Sequence, residues 1–144
     1  MNSIQFSSPI GLIIVFSTDK GIAHLDIDLA DGVSLLNPEP NELLRKCEQQ
    51  ISAYLAGKRS SFDLPLDWDE IRGFQLEVLR FALTIPFGEV RTYGEIARAL
   101  RKPAASRAVG SALARNPLPL LIPCHRVVAK SGLLTGYSAA DGIR

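Results

Sequence analysis

The strongest indication of the fold lies in residues 92–115, which read TYGEIARALRKPAASRAVGSALAR. Thr92, with Glu95 three residues later, matches the capping-box pattern and predicts the start of a short helix. Lys102-Pro103-Ala104 interrupts this helix, and residues 105–115 predict a second one. Two short helices joined by a tight turn are typical of a helix-turn-helix unit, whose second helix is the one offered to DNA.

The second predicted helix is rich in small residues, which allow a helix backbone to lie close to a partner. These residues are Ala105, Ala108, Gly110, Ser111 and Ala112. We therefore expect this helix to present a small-residue face to whatever the unit binds.

The segments on either side of this unit predict one more helix and an apolar stretch. Apolar residues recur at helical spacing from Phe74 to Ala82, and the pattern stops near Pro86. Asn116-Pro117 indicates a turn, and residues 118–122 are apolar. The C-terminal part is therefore predicted to be mainly helical.

The N-terminal part predicts a β-hairpin followed by a helix. A β-branched, apolar run over residues 10–16 and an alternating run over residues 22–27 flank a turn. Asn41 is placed to cap a helix that Gly57 ends, and residues 60–69 read as an extended piece and a linker. The residues at helical spacing are Leu43, Leu44, Cys47, Ile51, Tyr54 and Leu55.

The two predicted domains carry opposite charge. Residues 1–69, the α/β domain, hold 5 basic and 10 acidic side chains. Residues 70–144, the mainly helical and winged helix-turn-helix-like domain, hold 11 basic and 5 acidic ones. This asymmetry indicates that only the C-terminal half meets a polyanion, although clustering of charges on a solvated surface gives the same pattern.

Composition excludes several classes of protein. The 144 residues are 47% hydrophobic, unlike a disordered chain, and no stretch approaches the roughly 20 apolar residues of a membrane helix. The N-terminus lacks the basic and apolar regions of a signal peptide. We therefore expect a cytoplasmic monomer without a membrane partner, in which Cys47 and Cys124 are free thiols.

The residues around Cys124 indicate chemistry at sulfur. The sequence Pro123-Cys124-His125-Arg126-Val127 places an imidazole and a guanidinium within two residues of the thiol. When they are positively charged, both groups favour the thiolate, which is the nucleophilic form of cysteine.

The same residues allow three other interpretations of Cys124. A cysteine in an apolar run is often structural. A zinc site needs ligands two to five residues apart, whereas His24, Cys47 and the Cys124-His125 pair are widely separated. A Cys/His hydrolase needs the two side chains to meet, but neighbours in an extended segment point in opposite directions. We therefore expect no metal.

The C-terminal motifs resemble those of O6-alkylguanine-DNA alkyltransferases, also called methylated-DNA–protein-cysteine methyltransferases. The resemblance runs from Phe74 to Tyr137, and its strongest block is LIPCHRV at residues 121–127. Its other blocks are Phe87-Gly88-Glu89-Val90, Thr92-Tyr93, Ser106-Arg107-Ala108-Val109-Gly110, Asn116-Pro117, Gly132 and Gly136-Tyr137-Ser138. The preceding residues resemble the ribonuclease-H-like domain of that family more loosely.

The resemblance implies a suicidal DNA-repair reaction that uses no cofactor. Cys124 would accept the alkyl group from O6 of guanine, or from O4 of thymine, once per molecule. His125 would draw off the thiol proton through a water, and Tyr93 would donate to the departing base. Asn116 would position the active-site turn. The base pocket would be formed by Pro119, Val127, Tyr137 and Ser138.

The resemblance also implies binding in the minor groove of double-stranded DNA that contains O6-alkylguanine, with the damaged base extruded from the stack. Arg107 would fill the space that the base leaves. The other DNA-contacting residues would be Thr92, Ala105, Ser106, Ala108, Gly110, Ser111 and Arg115.

The family pattern continues into a final helix whose glutamate orients the active-site histidine. Here the last residues are Ser138-Ala139-Ala140-Asp141-Gly142-Ile143-Arg144, so the domain is expected to be truncated before that helix. On this view His125 would be a less well oriented base and the loop around Tyr137 would be looser.

Two other functions stay open on the sequence. A lesion-binding protein without chemistry would use the same DNA-binding unit, but such proteins usually carry tryptophan in place of the cysteine. A helix-turn-helix regulator would explain the basic half and leave Cys124 and His125 unused. Stable transfer of an alkyl group to Cys124 distinguishes the repair function from both.

Overall fold

A computed structural model describes residues 1–28 and 38–128. These described residues divide into two compact units at Trp68 and Asp69. The elements of the first unit are β1 (Asn2–Ser8), β2 (Gly11–Thr18), β3 (Gly21–Asp28) and α1 (Glu42–Leu55). Those of the second are α2 (Gly73–Leu83), β4 (Arg91–Thr92), α3 (Tyr93–Ala99), α4 (Ser106–Ala114), a 3-10 turn (Cys124–Arg126) and β5 (Val127–Val128).

The first unit is a three-stranded antiparallel sheet with α1 packed on it. The central strand is β2, in which Val15 lies opposite Ile4 of β1 and Leu25 of β3. Its core comprises Ile13, Val15, Ile22, Leu44, Cys47 and Ile51, all fully buried. Burial of apolar surface between the sheet and the helix therefore stabilises this unit.

The predicted hairpin is confirmed as β2 and β3, whereas β1 was not predicted. Ile4 and Phe6 alternate with polar neighbours, which is the period of a strand with one buried face. Both side chains are buried, so this alternation was the signal that identifies β1.

The predicted start and end of α1 are confirmed. The Asn41 side chain accepts a hydrogen bond from the Leu44 amide at 2.9 Å, which satisfies one of the free amides at the helix start. Gly57 follows the helix with a positive φ of 75°. Buried Gln50, which the apolar pattern did not include, bonds the backbone of Asp63 through both its amide atoms.

Gly21 is required where β3 meets the segment predicted to be a linker. Ile22 pairs with that segment, since its amide donates to the Pro65 carbonyl and its carbonyl accepts from the Asp67 amide, both at 2.8 Å. A Cβ at Gly21 would lie 2.5 Å from the Pro65 oxygen, and the φ of Gly21 is +147°. Only glycine allows this close approach without a shift of the backbone.

The second unit contains the three helices that the sequence predicted, and α4 packs against both α2 and α3. The capping box of α3 is formed, because Thr92 Oγ1 accepts from the Glu95 amide at 3.1 Å and Glu95 Oε1 accepts from the Thr92 amide at 2.8 Å. Between α3 and α4, Arg101 adopts a left-handed backbone with a φ of 63°. The predicted helix-turn-helix arrangement is therefore present.

A short parallel pair of strands joins the start of α3 to the segment that follows Cys124. Arg91 of β4 lies opposite Val127 of β5, and Thr92 lies opposite Val128. The sequence analysis did not predict this pairing, because two-residue strands leave no periodic pattern. It attaches Tyr93, the first residue of α3, to the strand that leaves the Cys124 turn.

Candidate active site

Asn116 ties together the two ends of the loop that leads to Cys124. Its Oδ1 accepts a hydrogen bond from the Leu118 amide at 2.8 Å. Its Nδ2 donates to the Ile122 carbonyl at 3.1 Å and to Cys124 Sγ at 3.4 Å. A side-chain amide carries both a donor and an acceptor, as this loop needs. The structure therefore brings Asn116 and Cys124 together.

The loop between them is held in a strained conformation by its own packing. Leu120 has a φ of +72°, which costs a residue with a Cβ about 1–2 kcal/mol. The side chain of Leu120 is nonetheless buried, and the Ile122 amide donates to the Leu118 carbonyl at 2.9 Å. Pro119, predicted to line the base pocket, is buried in the same loop. Burial and this backbone hydrogen bond keep the loop in one shape.

Both cysteines are free thiols, as predicted, but their surroundings differ. Cys124 begins the 3-10 turn and is 3% exposed. Cys47 lies in the core of the first unit, where burial and the charge of Glu48 raise its pKa to about 12. Because the thiolate is the reactive form, Cys47 is inert at neutral pH.

His125 is half-buried beside Cys124, with its Nδ1 inside the protein. Burial, together with the positive charge of Arg126, lowers the pKa of His125 from 6.5 to about 4. The imidazole is therefore neutral at pH 7 and able to accept a proton. The sequence analysis made the effect of His125 on the thiol conditional on a positively charged ring, and burial disfavours that form.

Arg126 anchors the Cys124 turn to the segment that follows α2. Its Nη1 donates to the Ile85 carbonyl at 2.8 Å, and its guanidinium lies 5.5 Å from the centre of the exposed Phe87 ring. A cation above an aromatic face is attracted to it. Arg126 therefore has a structural role that the sequence analysis did not identify.

We expect His125 to make the protein less stable as the pH falls from about 6.5 to about 4. The unfolded chain binds a proton on this imidazole near pH 6.5, whereas the folded protein binds it only near pH 4. Over this window the folded state loses about 2–3 kcal/mol relative to the unfolded state, and the loss is complete below it. Urea denaturation at about pH 7.5 and pH 4.5, compared between the wild type and His125→Gln, measures the effect.

Between these two pH values, the free energy of unfolding of the wild type should fall by about 2–3 kcal/mol more than that of His125→Gln. His24→Gln is the matched control, because His24 lies on β3 with an exposed imidazole 3.0 Å from Asp26 Oδ1. Because His24→Gln retains His125, its free energy of unfolding should fall between the two pH values by as much as that of the wild type. Equal losses in the wild type and His125→Gln would show that other groups cause the pH dependence.

Tyr93 is held between α4 and the β4–β5 pair. A Cβ at Gly110 of α4 would lie 3.3 Å from Tyr93 Cε2, so the glycine allows the ring to lie close to the helix. On its other side, Thr92 is fixed to Val128 by strand pairing. The predicted base-contacting tyrosine and the Cys124 turn are thus attached to the same strand pair, and Val127 of that pair is buried.

The exposed face of α4 contains four of the eight predicted DNA-contacting residues. These are Arg107, Ala108, Ser111 and Arg115, which fall on one side of the helix. Ala105 and Ser106 at its start, and Thr92 before α3, are half-buried. The prediction of a small-residue face was wrong for Ala112, which is fully buried because α4 uses it to pack against its own unit. Gly110 is half-buried, and a Cβ there would lie 3.3 Å from Tyr93 Cε2.

Some predictions concern residues that lie outside the described ranges. These are the loop residues Gly132, Gly136, Tyr137 and Ser138, and the expected truncation before a final helix, which concerns residues 138–144. Within residues 1–28 and 38–128, no three histidine, cysteine or acidic side chains meet as a potential metal site. In the same ranges, no helix combines the length and apolar character needed to cross a bilayer.

Comparison with known proteins places these elements in a family. Residues 4–68 match the ribonuclease-like domain of 6-O-methylguanine DNA methyltransferase, and residues 73–144 match its DNA binding domain. The chain belongs to the 6-O-methylguanine DNA methyltransferase family. The family predicted from the motif at residues 121–127 is therefore confirmed. The predicted fold class, an α/β domain followed by a helical, helix-turn-helix-like domain, is confirmed with it.

Individual methyltransferases of this family match along most of their length. The methylated-DNA–protein-cysteine methyltransferase of Methanosarcina barkeri is 43% identical over 145 residues, which cover 95% of this chain and 88% of the relative. The constitutive enzyme of Bacillus subtilis is 39% identical over 139 residues, covering 92% and 84%. The crystal structure of Mycobacterium tuberculosis OGT in complex with DNA has a TM-score of 0.80 and 38% identity, covering 95% and 84%.

Proposed function

We propose that this protein repairs alkylated DNA by transferring the alkyl group from O6 of guanine to the sulfur of Cys124. The observation that supports this most directly is the buried Cys124 thiol, whose Sγ accepts a hydrogen bond from Asn116 Nδ2 at 3.4 Å. This thiol lies in a chain that belongs to the 6-O-methylguanine DNA methyltransferase family. In the reaction a bond forms between sulfur and the alkyl carbon, and the bond from that carbon to O6 breaks. The electron pair stays on guanine, which gains a proton. Since a thioether is stable, each molecule reacts once.

The thiol proton leaves through His125 in this proposal. The ring is neutral at pH 7, because its pKa is about 4, and it therefore accepts a proton by way of a water. A histidine with such a low pKa also releases the proton readily, so it relays the proton instead of holding it. Tyr93 donates to the base, which balances the charge that develops on guanine as it leaves.

Asn116 favours the reactive form of Cys124. A donor directed at sulfur stabilises the negative charge of a thiolate more than it stabilises the neutral thiol. The same side chain fixes the loop through its other two hydrogen bonds, so that the sulfur does not need to be reoriented when the base arrives.

The exposed face of α4 is proposed to lie in the minor groove of double-stranded DNA. Arg107 is exposed in the first turn of α4, where it enters the stack and replaces the extruded base. Arg115 contacts the phosphate backbone from the other end of the face. Contacts to the backbone and to the degenerate minor-groove edge give little sequence specificity, which suits a protein that searches for damage. Pro119 and Val127 are proposed to line the pocket for the flipped base, while Tyr137 and Ser138, which the family resemblance adds to it, lie outside the described residues.

The proposed reaction uses the side chains of Cys124, His125, Tyr93 and Asn116, so we propose that it needs no cofactor. We also propose that the protein acts as a monomer. Residues 70–144 form the DNA-binding alkyltransferase domain and residues 1–69 the α/β domain. The two free thiols are consistent with the reducing environment of the cytoplasm, where we place the protein.

The test is intact mass spectrometry after incubation with a duplex that contains one O6-methylguanine. We expect the protein to gain the mass of one methyl group, located on the Cys124 peptide, with no gain from an undamaged duplex. The peptide that contains Cys47 should be unchanged. Tight binding of the damaged duplex without a mass gain would contradict the proposal and indicate a lesion-binding protein. Preference for one undamaged sequence would indicate a regulator.

A further inference from the structure

We propose that Gln75 is a positioning residue for Cys124, which it controls through the backbone of α4 and the Asn116 side chain. Gln75 lies in the first turn of α2 and is half-buried. Its Nε2 lies 3.0 Å from the Arg115 carbonyl oxygen and 3.4 Å from the Ala112 carbonyl oxygen. The amide nitrogen of glutamine carries two N–H groups, so it can donate to both carbonyl oxygens. This inference rests on the proposed function, whose reactive group is Cys124.

The two carbonyls that Gln75 binds are at the end of α4. The last carbonyls of a helix have no next turn from which to accept hydrogen bonds. The Ser111 and Leu113 carbonyls accept from the Arg115 and Asn116 amides, at 3.2 and 3.1 Å. The Ala112 and Arg115 carbonyls accept from Gln75. Gln75 therefore acts as a C-terminal cap of α4 that is supplied by another helix.

The peptide between Arg115 and Asn116 is consequently held at both ends. Gln75 binds its carbonyl oxygen at 3.0 Å, and the Leu113 carbonyl accepts its N–H at 3.1 Å. Because a peptide group is planar, two hydrogen bonds on opposite edges fix the orientation of the plane. That plane sets the direction in which the Asn116 side chain leaves the backbone, and the Nδ2 of this side chain donates to Cys124 Sγ at 3.4 Å.

Gln75→Glu is the sharpest variant, because it keeps the size of the side chain and removes both donors. A carboxylate would face two carbonyl oxygens and be repelled by them, so the peptide plane would lose one of its two restraints. Gln75→Arg restores donors in a planar fork, and its positive charge suits a helix C-terminus. Should Gln75→Glu fail to fold, Gln75→Met offers a neutral side chain of similar length without donors.

The readout is the rate at which iodoacetamide alkylates Cys124 as a function of pH, measured by peptide mapping without DNA. We expect Gln75→Glu to slow this reaction at neutral pH about fivefold, which corresponds to about 1 kcal/mol, and to move the midpoint of the pH profile upward. In Gln75→Arg, the rate of alkylation of Cys124 should be within about twofold of the wild-type rate. Asn116→Ala should show the same slowing as Gln75→Glu, and the double variant should be no slower than Asn116→Ala alone.

In the same experiment, the labelling of Cys47 by iodoacetamide shows whether a variant has lost its folded structure or has only changed the positioning of Cys124. Cys47 is fully buried, so a variant that opens the fold would expose it to iodoacetamide. We expect no labelling of Cys47 in any of these variants. Increased labelling of both cysteines in Gln75→Glu, or a further slowing when Gln75→Glu is added to Asn116→Ala, would overturn the inference. If no form of the chain accepts a methyl group from the duplex while this pattern holds, the proposed function fails and the positioning role stands.

Discussion

Cys124→Ser is expected to abolish methyl transfer from a duplex that contains O6-methylguanine, with a fall in rate of more than about 1000-fold. A serine hydroxyl is almost wholly protonated at neutral pH and is a far weaker nucleophile than a thiolate. The replacement changes little else. Serine is similar in size, and its oxygen can accept the Asn116 N–H that the sulfur accepts at 3.4 Å. Affinity for the damaged duplex, measured by fluorescence anisotropy, should therefore stay close to that of the wild type.

Cys47→Ala is the matched control, since it removes the other thiol. Cys47 is fully buried, so the variant should be less stable by about 1–2 kcal/mol in urea denaturation. Its rate of methyl transfer should equal that of the wild type wherever it is folded, because the raised pKa of Cys47 keeps its thiol protonated. Methyl transfer that persists in Cys124→Ser, or that is lost in folded Cys47→Ala, would contradict the assignment of Cys124 as the acceptor.

The sequence predicted those elements whose signals are local. The capping box at Thr92, the cap at Asn41 and the apolar spacing of each helix depend on residues three or four positions apart, and all are present in the structure. The β4–β5 pair joins residues 36 positions apart along the chain, from Arg91 to Val127, and each strand has two residues. Nothing in either dipeptide indicates its partner, so this pairing could not be read from the sequence.

In the candidate site, too, the sequence predicted only part of what the structure shows. It identified the chemical groups but not the surroundings that determine their charge and position. The motif at residues 121–127 predicted which groups are present, and Asn116 was identified by its place in the family pattern. The charge of His125 depends on its burial, which favours the neutral ring and which the motif does not indicate. Gln75 shows no pattern at all in the sequence. Its importance is visible only when α2 and the end of α4 are seen in contact.

Arg107→Ala is expected to slow methyl transfer from the duplex about 30- to 100-fold at saturating DNA, while reaction with free O6-methylguanine base changes less than about twofold. Arg107 is exposed in the first turn of α4, and Cys124 is buried in a separate turn. Its role in the proposal is to fill the stack, and extrusion of a base costs a few kcal/mol. Without the guanidinium, the extruded guanine returns to its place in the DNA duplex more often. The free base needs no extrusion, so its reaction should not depend on Arg107.

Two further variants separate this role from simple attraction to phosphate. Arg115→Ala removes a positive charge from the other end of the same exposed face. It should weaken DNA binding and reduce the slope of the logarithm of affinity against the logarithm of salt concentration by about one, as expected for the loss of one phosphate contact. The rate at saturating DNA should stay unchanged. Arg107→Lys keeps the charge and loses the planar group that stacks on bases, so its rate should resemble that of Arg107→Ala. Equal losses on the duplex and the free base, or full activity of Arg107→Lys, would show that Arg107 does not hold the extruded state.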